Sequence, residues 1–213
     1  MIKFDPELEQ YILEYTSDED PVLAELNRET WKHTVNPQML AGHVQGKILE
    51  MISRMIRPSR ILEVGTFTGY SSICLAKGLS EGGQLITIEK NSEITDFAKV
   101  YISRSGLSGS ITMLTGDARE IIPGLPQTFD LVYLDAEKEE YIEYYELAFA
   151  KVESNGFILA DNVLWGGKVL REAGSGDLST LGIRAFNEYI RRDARVDQVI
   201  LPVRDGIMLI RKL

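Results

Sequence analysis

The order of apolar runs predicts an α/β fold: a mostly parallel sheet with helices on both faces, an antiparallel strand at its C-terminal end and a helical extension in front. Three observations carry this. Short apolar runs at 61–64, 85–88, 111–114, 131–134 and 157–160 alternate with amphipathic segments, the pattern of strands joined through helices. Two further runs, 196–203 and 207–210, flank Arg204-Asp205-Gly206, and Asp-Gly is a strong hairpin signal. Before residue 58 the apolar residues follow helical rather than strand spacing.

Taken in order, Leu8, Tyr11, Ile12 and Tyr15 lie on one face of a first helix. Pro21, behind the acidic Ser-Asp-Glu-Asp group, starts a second. Asn36-Pro37 breaks the pattern, and Val44, Ile48, Met51, Ile52 and Met55 form the stripe of a third, ended by Pro58. Between the strands, helices are predicted over 70–79 and 94–103, briefly after Asp117, over 141–152, and from Leu178 to about Arg192. The 213 residues fit one domain, with a helical extension over 1–57 and an α/β core over 58–213.

With 44% apolar and 26% charged residues, the chain has the balance of an ordinary globular protein able to bury a sizeable core. A net charge of −9 argues against a non-specific nucleic-acid partner. The basic residues Arg184, Arg191, Arg192 and Arg195 read as the solvated side of a helix. The single cysteine, Cys74, among Ile73, Leu75 and Ala76, reads as a buried structural thiol. MIKFDPELEQ has no apolar signal core and no run is long enough for a membrane span, so a cytoplasmic protein without a membrane partner is expected.

Ligands of such sheets bind beyond the carboxyl ends of the strands, so the residues that follow each run matter most. The first run leads into EVGTFTGYS, where Gly65 and Gly69 bracket a turn that opens a helix. That turn serves dinucleotides and other nucleosides alike, and sometimes it is only a turn. It is not GxGxxG, because Thr66 and Phe67 fill the interval. Glu89, at the end of the second run, is placed to accept from two ribose hydroxyls or is simply an exposed strand-end acid. Asp117, after the third, suits an adenine amino group, the N-cap of the next helix, or both. Glycine turn, ribose acceptor and base acceptor in series suit a nucleoside without a pyrophosphate bridge, S-adenosylmethionine better than NAD.

The fourth run ends at Asp135 in DAEK and the fifth at Asp161-Asn162 in DNVLWGG. Consecutive strands tend to be close in space, which would bring two carboxylates and an amide oxygen together. That donor set suits a hard cation, Mg²⁺ first with Mn²⁺ or Ca²⁺ as substitutes; each acid taken singly is equally a cap or loop residue. Lys138 follows Asp135 by one helical turn. Beside a cation its pKa would fall and it could act as a base; in the charged stretch Glu137, Glu139, Glu140 it also reads as a surface lysine.

Together NPQM (36–39), LEVGTFTGYS (62–71), GDA (116–118), DAEK (135–138), DNVLWGG (161–167) and PVRDGIMLIRK (202–212) resemble the cation-dependent O-methyltransferases that include the caffeoyl-CoA and catechol enzymes, from about residue 36 to the C-terminus. DNVLWGG with the upstream Asp-x-x-Lys is the specific part. The resemblance implies a Rossmann-like class I methyltransferase sheet of seven strands. It implies a site for S-adenosylmethionine lined by Met39, Glu63, Gly65, Thr66, Tyr70, Ser71, Glu89, Asp117, Ala118 and Asp135. It also implies a divalent cation on Asp135, Asp161 and Asn162, Lys138 as general base, Trp165 walling a small aromatic substrate with vicinal hydroxyls, and a homodimer. The family often reads DADK followed by Asn-Tyr where this chain has DAEK-Glu-Glu-Tyr, a departure that spares the aspartate and lysine and touches substrate contacts. Residues 168–179 correspond to the variable substrate loop; they are Gly/Ser-rich and expected to order with substrate, and Lys168 and Arg171 within them suit an anionic acceptor. Two rivals remain at this point: a nucleotide-dependent oxidoreductase, opposed by the missing GxGxxG, and a non-catalytic S-adenosylmethionine-binding module, which would have no use for the acidic set and the lysine.

Overall fold

The computed structural model describes residues 5–174 and 176–213. The first four residues of the expected helical extension and Ser175 of the expected substrate loop lie outside the described residues. Seven strands form one sheet in the order β3-β2-β1-β4-β5-β7-β6. The chain divides into two compact units, one ending at Asp117 and the other spanning Ala118–Leu213.

The first unit opens with α1 (Pro6–Glu14) and α2 (Pro21–His33). Asp5 and Asp20 cap them, accepting from the Glu7 and Val22 N–H groups at 2.9 and 2.8 Å, and each helix begins on a proline, whose missing N–H costs nothing there. Among the described residues the predicted stripe of α1 is mostly open: Ile12 is half-buried, but Tyr11 and Tyr15 are 55% and 74% exposed and stack on each other at 4.3 Å. In α3 (Gly42–Ile56) the predicted stripe is rotated. Leu49 and Ile52 are buried together with Gln45, Gly46 and Ser53, whereas Met51 and Met55 face outward. The reason is close packing against α4 (Tyr70–Ala76): a Cβ on Gly46 would lie 2.5 Å from the Tyr70 ring, and Ser53 Oγ donates to the Leu75 carbonyl at 2.7 Å. Small residues, Gly46 and Ser53, share the buried face with Leu49 and Ile52. β1 (Arg60–Val64), β2 (Gln84–Glu89) and β3 (Ile111–Thr115) are parallel, with α5 (Ser92–Arg104) between the last two. Pairing of Val64 with Ile88 and of Glu89 with Thr115 ends all three strands at one edge.

In the second unit, α6 (Ala118–Gly124) is short, as expected, with Pro123 near its end. β4 (Phe129–Leu134) and β5 (Val152–Asp161) are parallel, and β7 (Ile207–Lys212) runs antiparallel to both β5 and β6 (Val196–Leu201). The hairpin is as predicted, though β6 stops before Pro202, which has no N–H for the ladder. α7 (Tyr141–Lys151) and α8 (Leu178–Arg192) pack through Phe186, which meets the rings of Tyr141 and Tyr145 edge-on at 5.3 and 6.1 Å.

Candidate active site

At the edge of the first unit the ladder extends one residue past the strands: the Gly65 N–H donates to Ile88 and the Gly116 N–H to Glu89. This sets Gly65, Glu89 and Gly116 side by side, with Asp117 next in the chain. Gly69 precedes α4 in the left-handed region, φ 88°, and its N–H donates to the Thr66 carbonyl at 2.9 Å, closing the turn. A side chain there would be strained by the positive φ, although a Cβ would make only ordinary contact with Ile102. The Glu89 carboxylate accepts from the backbone N–H groups of Phe67 at 2.7 Å and Asn91 at 2.8 Å. The strand-end acid is thereby locked against the glycine turn. Lys90 lies 3.8 Å from Asp117.

Other expected cofactor residues have committed side chains. Glu63 is fully buried and accepts from the Ser72 hydroxyl. The buried Tyr70 donates its hydroxyl to Glu19, so its ring fixes the segment before α2. Ser71 is nearly buried on α4, Ala118 is buried at the start of α6, and Met39 ends a 3-10 turn with 57% of its surface exposed. What α4 offers an anionic group is the free N–H groups of its first turn.

In the second unit, the pairing of Leu134 with Ala160 places Asp135 and Asp161 on adjoining strand ends. A hydrogen-bonded cluster forms there. Lys138 Nζ donates to Asp135 Oδ1 at 2.8 Å and to the Tyr141 hydroxyl at 2.7 Å. Tyr141 donates to the Asp161 carbonyl at 2.8 Å, Tyr133 donates to Asp161 Oδ2 at 2.6 Å, and the Asn162 N–H donates to Asp161 Oδ1 at 2.7 Å. Burial, and then the charge of Asp135, push the Asp161 carboxyl up to about 6 against the opposing pull of Lys138, Tyr133 and the Asn162 N–H. Burial works against the Lys138 ammonium, but Asp135 and Tyr141 overcome it and raise its pKa. The fall expected beside a cation is therefore not what the protein's own groups produce.

The segment after Asp161 is sharply bent. Asn162 and Trp165 have φ of 60° and 47°, followed by Gly166 at 61° and Gly167 at 78°. Sequence reasoning missed what holds it. Asn187 Nδ2 on α8 donates to the Val163 carbonyl at 2.8 Å, and the Val163 and Leu164 N–H groups donate to Gly206 and Asp205 at 3.1 and 2.7 Å. The Asp-Gly turn thus supports this bend as well as making the hairpin. Tyr133 and Tyr141 were missed as well; the signal was faint, a tyrosine three positions after the lysine. Trp165 Nε1 is buried without a hydrogen-bond partner. Lys168 pairs with Asp177 at 3.2 Å and Arg184 donates to the Arg171 carbonyl at 3.0 Å, so the loop has fixed contacts of its own and the Lys168 charge is already engaged.

Two carboxylates, one of them raised in pKa by burial and then by the charge of its neighbour, with an amide side chain next in sequence, fit a hard cation, which relieves like-charge repulsion. Among the described residues no group of three or more His, Cys, Asp or Glu is arranged to hold a metal; the set expected here has two carboxylates and an amide.

Residues 13–213 match the O-methyltransferase family. The chain belongs to the O-methyltransferase family. It is 36% identical over 169 residues to a catechol O-methyltransferase of Niastella koreensis, covering 78% of this chain and 76% of that protein. It is 30% identical over 219 residues to a caffeoyl-CoA O-methyltransferase of Stellaria longipes, covering 97% and 90%. Among solved structures, the O-methyltransferase TomG of Streptomyces achromogenes, involved in tomaymycin synthesis and crystallised with S-adenosylmethionine, superposes with a TM-score of 0.89 at 28% identity, covering 97% of this chain and 96% of that one. The family, the fold class and the activity class, O-methyl transfer from S-adenosylmethionine, are those the motifs implied, and the oxidoreductase reading is not favoured. No helix among the described residues is long and apolar enough to cross a membrane.

Proposed function

We propose that this O-methyltransferase requires a divalent cation and methylates one hydroxyl of a small aromatic substrate bearing two adjacent hydroxyls. The observation that carries the reading is the cluster of Asp135, Lys138 and Asp161 at adjoining strand ends, with Asn162 next to it. The catechol and caffeoyl-CoA enzymes among its relatives point the same way.

Asp135, Asp161 and the Asn162 amide would hold the cation, which supplies Lewis acidity that lowers the pKa of a phenolic hydroxyl, near ~10 by analogy with tyrosine. Lys138 Nζ takes the hydroxyl proton. It can do so once the Asp135 carboxylate is engaged elsewhere: the main group that keeps it charged is then withdrawn, burial favours the neutral amine, and the ammonium releases its proton to solvent before the acceptor's hydroxyl proton is taken. Tyr141 and Tyr133 keep Lys138 and Asp161 in place through the transfer, and Trp165 walls the ring of the substrate. The glycine turn with Glu89 and Asp117 holds the methyl donor.

The test is transfer of labelled methyl to a panel of phenols. Catechol and caffeoyl-type acceptors should be methylated in the presence of Mg²⁺, and phenols with a single hydroxyl should fall at least about tenfold below them, since one chelating contact is lost. Equal rates with mono- and dihydroxy acceptors would refute the proposed acceptor class.

A further inference from the structure

The segment that carries Lys138 is braced from behind by α8, and one residue sets how closely. Gly182 lies in the second turn of that helix. A Cβ built on it would overlap the Lys138 carbonyl oxygen, and would stand 2.8 Å from Glu139 Cα and 2.9 Å from the Lys138 carbonyl carbon. All three are backbone atoms, so no flexible side chain can yield. Two lines of contact keep the helix from retreating instead. Thr180, Ile183 and Phe186 are buried, and Phe186 meets the Tyr141 ring. Ser179 Oγ donates to Glu139 at 2.9 Å, and Asp177 caps the helix through the Thr180 N–H at 3.2 Å.

The geometry assigns Gly182 as a positioning residue for Lys138: its missing side chain lets α8 seat the 3-10 turn of residues 138–140, and so places Nζ between Asp135 and Tyr141. The assignment rests on Lys138 being the base. Alanine is otherwise the better helix residue, so a loss on substitution comes from the overlap rather than from helix propensity. A backbone shift of a few tenths of an ångström or more at Lys138 strains the two hydrogen bonds that hold Nζ, to Asp135 at 2.8 Å and to Tyr141 at 2.7 Å.

The experiment compares Gly182→Ala in the wild-type chain and in a Lys138→Ala background, with catechol as acceptor and Mg²⁺ present. In the wild-type chain kcat should fall by about tenfold to a hundredfold, the range for a small misplacement of a reacting group, while KM for S-adenosylmethionine stays within about twofold, the donor being held by other residues. In the Lys138→Ala background the same substitution should alter the residual rate by less than about twofold, since two changes acting through one group do not add. Amine acylation of Lys138, read by mass spectrometry, should quicken in the Gly182→Ala chain while other lysines are unchanged. Wild-type kcat in Gly182→Ala, or the same loss in both backgrounds, overturns the assignment. Wild-type kcat in Lys138→Ala alone overturns the base role first, and is seen before Gly182 is altered. If Gly182→Ala does not fold, Ser179→Ala removes the neighbouring tie without overlap; its kcat should drop by at least about twofold through looser placement of Lys138, and no drop there overturns the assignment.

Discussion

Lys138 is subject to two opposed influences: burial favours the neutral amine, and the Asp135 carboxylate at 2.8 Å favours the ammonium. The second prevails in the protein alone, so the lysine rests charged, and its use as a base depends on Asp135 being occupied. Replacing it tests this. Lys138→Ala should retain S-adenosylmethionine affinity, measured by calorimetry, and lose about a hundredfold or more in kcat, the usual worth of a positioned general base; unchanged turnover would remove the lysine from the chemistry. The residue types at Asp135, Lys138, Asp161 and Asn162 could be read from the chain because each follows an apolar run. Tyr133 could not. It lies within a run, where a tyrosine looks like core, and only the pairing of β4 with β5 reveals that its hydroxyl meets Asp161.

At the scale of elements, the carboxyl ends of the strands were readable to within a residue or two, because apolar runs stop where the backbone leaves the sheet, whereas β5 starts at Val152, five residues before its apolar run. Helix faces were less so: α3 turns Gly46 and Ser53 inward and Met51 and Met55 outward, since close approach to α4 rewards small side chains over large ones. The basic residues assigned to a solvated face also do more than expected. Arg195, just beyond α8, donates to Asp193 and Glu146 and stacks over Phe149 at 4.1 Å, tying α7 to the start of β6. Hydrogen bonding from Arg195 holds the Asp193 carboxyl down at about 2. A depressed carboxylate contributes stability above its unfolded value, about 3.9, and loses it as the pH falls towards the folded value. Asp193→Asn should therefore lower stability at pH 7 by about 1 kcal/mol after allowance for solvent screening, with the difference from wild type shrinking between about pH 4 and pH 2. Urea unfolding across that range checks it, and a gap that does not depend on pH would contradict the linkage.

For the whole molecule, the alternation of runs predicted the parallel sheet with its antiparallel end, and six short motifs carried the family. What stayed hidden was the support: the turn at Asp205-Gly206 beneath the Asn162 bend, the Asn187 amide on Val163, and the clearance at Gly182. These are contacts between segments far apart in the chain, and no spacing rule announces them. The proposed chemistry requires one cation shared by Asp135, Asp161 and Asn162. Mn²⁺ binding followed by electron paramagnetic resonance measures that directly: the wild-type chain should bind one ion per chain, and Asp161→Ala should weaken binding by at least about tenfold, since even the loss of a group that only supports a ligand costs about tenfold to a hundredfold. Equal binding by the two chains, or none by the wild type, would contradict it.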